Sequence, residues 1–203
     1  MNPKETTLRK PRWPVIILIL CCAALLLGGL ISNVRPSRAG TVKFGCPQQL
    51  TVRTGQDFYI TVVISDVVDL YAWQSDFTYN TTYLEYKHIV FGDFLTQDGA
   101  AQYRQPPVAS TGLVDNIAAT RLSANTGLDG DGHVFYVVFK ALKETSTYTG
   151  PKVASVLLVN RQPLEIAKDL INSGYCRVYI DDDVPPLIQP PIGEKVYLPL
   201  VLR

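Results

Sequence analysis

Between residues 41 and 183 apolar and polar positions alternate in short runs, separated by Gly, Asn, Asp and Pro. That period of two is the signature of half-buried strands. Runs rich in Val, Ile, Tyr, Phe and Thr predict strands at 50–52, 58–64, 71–79, 84–91, 116–124, 133–142, 153–159 and 175–180. No stretch in this range sustains the 3.6-residue period of a helix, and only 83–86 hints at a helical turn. Many strands with no helices to cover a parallel sheet predict an all-β, antiparallel sandwich. In the run 71–79, Trp73, Ser75, Phe77 and Tyr79 share one side, and Ala72, Gln74, Asp76 and Thr78 share the other. The ringed side belongs in a core and the polar side is the candidate binding face. Tyr71 at the strand start and Tyr83 after the following turn are predicted to reach solvent, where a ring can stack on a pyranose.

The pattern changes at both ends. Residues 15–31 are an unbroken apolar run behind Lys4, Arg9, Lys10 and Arg12. As a helix this run spans about 26 Å, near the short end of what crosses a bilayer. Ser37 and Ala39 precede Gly40 as a signal peptidase prefers, so 1–39 reads either as a cleaved signal peptide or as a retained membrane anchor. In the second case the basic flank holds the N-terminus in the cytoplasm. Both place the domain at 41–183 outside the membrane, secreted or on the cell surface. Residues 184–203 are a Pro-rich linker with an apolar tail, "KVYLPLVLR", similar to short endings of exported proteins of some filamentous bacteria. A sorting role would rest on that similarity.

Composition narrows the chemistry. A formal net charge of +1 without charged blocks argues against nucleic acid. Cys21 and Cys22 lie in the apolar run, which leaves Cys46 and Cys176 as a disulfide tying the two ends of an exported domain. Two free thiols are the alternative. "NTGLDGDGHV" carries Asp129 and Asp131, but the further ligands of an EF-hand loop fall in "HVFYVVF", so the stretch reads as a hairpin turn. "DDD" at 181–183 reads as a solvated strand end. Neither His88 nor His133 has the setting of a catalytic base, and no nucleophile motif is present, so no enzyme is expected. No cofactor or metal is expected either; calcium would enter only through a partner. Asn80-Thr81-Thr82 fits a glycosylation acceptor, on a chain whose export signal looks bacterial.

"GQDFYITVVISDVVDLYAWQSDFTYNTTYLEYKHIVFGDFL" followed by "NIAATRLSANTGLDGDGHVFYVVFKAL" and "NSGYCRVYI" resembles a cohesin domain, the module that docks dockerins in cellulosome-type assemblies. The resemblance spans 50–181. It implies a jelly-roll sandwich of about nine strands whose first and last strands lie side by side, which would let Cys46 and Cys176 meet. It further implies a dockerin-like or other exported partner, held on an outward sheet face. The matching positions are Gln74, Asp76, Thr78, Arg121 and Ser123, with Ala72 and Ala124 where many cohesins carry polar side chains. The superfamily is shared with cellulose-binding modules, so the resemblance also admits polysaccharide binding through Tyr71 and Tyr83.

Overall fold

One strand organises the molecule. In the computed structural model, which describes residues 41–192, β3 (Asp57–Thr78) is a single 22-residue strand. It joins the two runs predicted at 58–64 and 71–79. The other strands are β1 (Val42–Gly45), β2 (Gln49–Val52), β4 (Leu84–Phe91), β5 (Gln102–Gln105), β6 (Val108–Ser110), β7 (Leu113–Arg121), β8 (Leu128–Ala141), β9 (Lys152–Asn160), β10 (Lys168–Leu170) and β11 (Arg177–Ile180). The all-β expectation holds, with eleven strands among the described residues instead of about nine. The additions β1, β5, β6 and β10 are three or four residues long, too short to show a period. Residues 1–40 and 193–203, with the signal or anchor segment and the apolar tail, lie outside the described residues.

The first half of β3 pairs with β8 along 57–70 and with β1 at 63–65, and β8 and β1 pair outward with β4 and β10. Its second half pairs with β7 and β9 along 70–78, and β7 pairs outward with β5 and β6. β3 therefore belongs to both layers and must bend between them. The bend is at Asp66 and Asp69, whose φ angles of 57° and 59° lie in the left-handed region that Asp tolerates better than most residues. Each freed N–H is taken by a carboxylate of β8: Asp66 by Asp131 at 2.7 Å and Asp69 by Asp129 at 2.8 Å.

This corrects the reading of "NTGLDGDGHV" as a hairpin turn. The stretch opens β8, opposite the bulges of β3, with Gly130 facing Val67. Gly130 has a φ of 110°, so the left-handed demand is real, but it serves a bulge. Gly127 is fixed by crowding: a Cβ there would lie 2.3 Å from the backbone of Asp69. The hint of a helix at 83–86 is likewise a turn, closed by Leu84 N–H donating to Asn80 O at 3.0 Å, after which β4 starts.

Alternation fills the space between layers. Phe58, Ile60, Val62 and Ile64 of β3 and Phe135, Val137 and Phe139 of β8 are buried, as are Trp73 and Phe77 beyond the bend. Trp73 stacks on Phe135 with ring centroids 5.0 Å apart, and Phe77 meets the same ring edge-on at 5.6 Å. The rings of the run 71–79 are thus largely core, as their period implied. The early and late strands of the domain meet where the family resemblance put them: β2 pairs in parallel with β11, and Cys46 and Cys176 form a disulfide with Cα atoms 5.0 Å apart. Closing a loop of 130 residues stabilises by about 5 kcal/mol on the chain-entropy view.

Candidate functional site

The outward face of the second layer carries a groove because its central side chains are short. Across β9, β3, β7 and β5, one row of neighbours reads Val159, Ala72, Thr120, Tyr103, and the next reads Leu157, Gln74, Ala118, Gln105. Ala72, Ala118 and Thr120 make a low floor. Leu157 on one flank and Tyr103 and Val108 on the other stand up as walls, 42%, 52% and 57% exposed. The result is an open groove of about 460 Å³ without a charged side chain in its lining. Exposed apolar surface gathered in one concavity, with amides of Gln74, Gln105 and Asn116 interspersed, suits a protein or small-ligand surface.

Asp76 closes one end. The pairing of β3 with β7 skips between Ser75 and Phe77, and Asn116 takes a left-handed φ of 59° in that bulge. Asp76 accepts the freed Asn116 N–H at 2.9 Å and the hydroxyl of Ser155. Partial burial pushes its carboxyl up, but the bonds from Ser155, Asn116 and the neighbouring Asp115 outweigh this and hold it below its ordinary value. Asp115 is pushed up, chiefly by the neighbouring Asp76 carboxyl. Asp76 is therefore a brace of the groove wall as well as a polar edge.

The sequence-predicted positions do not all fall here. Gln74 lines the groove, Asp76 borders it and Thr78 is exposed at the end of β3. Arg121 is the correction: it is 2% exposed and points inward. Its guanidinium donates to Leu95 O at 2.8 Å and pairs with Asp98 at 2.5 Å, fixing the 94–98 loop to β7. Strand parity explains it, since Ile117, Ala119 and Arg121 alternate inward while Ala118 and Thr120 face out. Ser123 and Ala124 lie beyond the end of β7, Ser123 exposed with a φ of 55°.

Tyr71 and Tyr83 are both half-exposed but are not brought together. Tyr71 begins the second half of β3, and Tyr83 sits past its far end, packed on the core's margin. About 23 Å of strand separates Tyr71 from the far end of β3. His88 is exposed on β4, and His133 Nδ1 is bonded to the Tyr136 hydroxyl at 2.6 Å. Among the described residues no three His, Cys, Asp or Glu side chains are grouped to hold a metal ion, Asp129 and Asp131 included. Among the described residues no helix is long and apolar enough to cross a membrane.

Sequence reasoning missed Tyr103, Val108, Ala118, Thr120, Leu157 and Val159 as groove residues. The alternation within β7 and β9 was a usable signal for which of them face out. Which strands flank β3 was not visible in it.

Comparison with known proteins fits this geometry. The cohesin domain model matches residues 47–178. No protein among curated sequences matches the chain. A cohesin from Clostridium acetobutylicum, solved in solution, is 19% identical with a TM-score of 0.55, over 71% of this chain and 94% of that one. A chain from a type I cohesin–dockerin complex of Clostridium thermocellum gives 13% and 0.55, over 70% of this chain and all of that one. A non-cellulosomal cohesin from the archaeon Archaeoglobus fulgidus gives 16% and 0.50, over 70% and 90%. Those identities speak to the fold alone, and the family model, spanning more than half of the chain, settles membership: this chain belongs to the cohesin family.

Proposed function

We propose that the β9–β3–β7–β5 groove docks an exported partner protein of the dockerin type. Cohesin domains are non-catalytic docking modules, and cohesins similar in structure to this chain are seen in complex with dockerins. The observation that carries the reading is the uncharged, concave groove with Leu157, Tyr103 and Val108 exposed along it. A docking helix laid across it would bury those three side chains and leave Gln74 and Gln105 to hydrogen-bond at the floor. Ala72 and Ala118 favour close approach of an apolar side chain over a charged one. The disulfide accords with an oxidising, extracellular or cell-surface setting. Residues 1–39 as export signal or anchor, and a role in polysaccharide-degrading assemblies, belong to the same proposal. Any calcium would be carried by the dockerin.

The test is a titration of purified dockerin-bearing proteins from the same organism against the full chain, with calcium and then with chelator. Gln74→Arg with Ala118→Arg is expected to weaken binding by more than about a hundredfold without lowering Tm, because two charges would be buried on the floor. Equal affinity of the double variant and the wild type, or no dockerin bound at all, would overturn the reading. Retention of polysaccharide lost in Tyr71→Ala with Tyr83→Ala would favour sugar binding instead.

A further inference from the structure

The first half of β3 has an uncovered side. β1 lies against it only at 63–65, while β8 occupies the other side throughout. Tyr59 stands opposite Val138 of β8, but its N–H and C=O point away from β8. Both are taken by one side chain: Tyr59 N–H donates to Gln189 Oε1 at 2.8 Å, and Gln189 Nε2 donates to Tyr59 O at 2.8 Å. The converse exchange lies beside it. Leu187 N–H donates to Gln56 Oε1 at 3.1 Å, and Gln56 Nε2 donates to Leu187 O at 2.5 Å. The Tyr59 hydroxyl also donates to Pro190 O at 2.9 Å.

Two glutamine amides thus replace the peptide groups of a ladder, and proline is the reason. Pro185, Pro186, Pro190 and Pro191 have no N–H, so the segment cannot pair as an ordinary strand. Its side chains still alternate: Leu187 packs on the core and Ile188 is 92% exposed. Pro190 and Pro191 lie along the same edge, and with Tyr59, His88 and Val138 they line a shallow cleft of about 370 Å³. The Tyr59 ring with its hydroxyl, beside the Gln56 amide, both donating to carbonyls of the segment, is chemistry that selects extended proline-rich chain, whose carbonyls are free to accept.

We propose that this edge of β3 is a recognition site for an extended proline-rich segment, and that residues 187–191 are its resident ligand. The linker then leaves the domain as a fixed strut from the first layer, and it seals an edge that another chain's strand would otherwise extend.

Amide hydrogen exchange on the full chain tests it. The Tyr59 amide is expected to be protected in the wild type. In Gln189→Ala it should exchange at least about tenfold faster, while amides of β8 keep their rates. Exchange of Tyr59 as fast as a free amide in the wild type, or unchanged in the variant, would overturn the docked strut. A peptide of residues 184–192 should shift the Tyr59 resonance of the Gln189→Ala chain at about millimolar concentration and leave the wild type, already occupied, unmoved. A peptide without effect on the variant at several times that concentration would overturn the recognition site.

Discussion

The two halves of β3 alternate in opposite phase, even-numbered residues inward before the bend and odd-numbered ones after it, and end in opposite situations. In the first half Phe58, Ile60 and Val62 face the core, and the backbone edge at Tyr59 is covered by the chain's own residues 187–190. In the second half Trp73, Ser75 and Phe77 face the core, both edges are paired, and the outward face at Ala72 and Gln74 is left open. Alternation decides which side chains point inward in both. Whether the outward side becomes a site depends on what the neighbours bring: bulky walls around small side chains in one case, a proline-rich strap in the other.

Neighbours on the second half of β3 should separate most widely. Trp73→Ala removes a ring stacked on Phe135 and should cost about 4 kcal/mol in chemical unfolding, whereas Gln74→Ala should stay within about 0.5 kcal/mol. Similar costs for the two would mean that the inward and outward faces are misassigned. Next in size is Arg121→Ala, expected to cost about 2 kcal/mol because Leu95 O and Asp98 lose a buried donor. Its partner affinity should hold if Arg121 lies beneath the groove; a large affinity loss with unchanged stability would place it on the binding face after all. Asp76→Asn, weakening the bonds that brace the bulge at Asn116, should cost about 1 kcal/mol after allowance for solvent exposure, read as a shift in urea midpoint.

The smallest effect is the pH dependence. Hydrogen bonding to Arg121 holds the Asp98 carboxyl below its ordinary value, and Asp76 is also held low, its hydrogen bonds outweighing desolvation. A depressed carboxyl contributes stability that is present above its unfolded value, about 3.9, and lost as pH falls through the folded one. Asp115, pushed up, has the opposite sign: its contribution is full below the unfolded value and lost as pH rises through the folded one. Tm should therefore hold near neutrality and fall below about pH 4, less steeply in Arg121→Ala, where the Asp98 contribution is gone. Identical acid limbs in thermal melts of the two chains would show that the Arg121–Asp98 pair contributes nothing to acid stability.

Legibility in the sequence followed length and local constraint. β4 was readable to the residue, because the aromatic and β-branched run from Leu84 to Phe91 is bounded by a turn at Asn80 and a glycine at Gly92. The join at Asp66 and Asp69 was not, because its cause lies some 60 residues away in the carboxylates of Asp129 and Asp131. The same Gly and Asp residues that form tight turns also form bulges, and composition does not distinguish them. Arg121 illustrates a parity error: one residue's slip in register moves a side chain from solvent to core.

By itself the sequence determined the all-β class, the inward side of 71–79 and the family, since each follows from alternation or from motif order, while the bond between Cys46 and Cys176 was settled only by the structure. Only the tertiary structure decided that Ala72, Ala118, Thr120, Leu157 and Tyr103 make one groove, and that Gln189 finds the backbone of Tyr59. Those juxtapositions depend on which strands become neighbours and in what register. That choice is made by the packing of Trp73, Phe77 and Phe135 across the layers, contacts between residues far apart in the chain that no local pattern encodes.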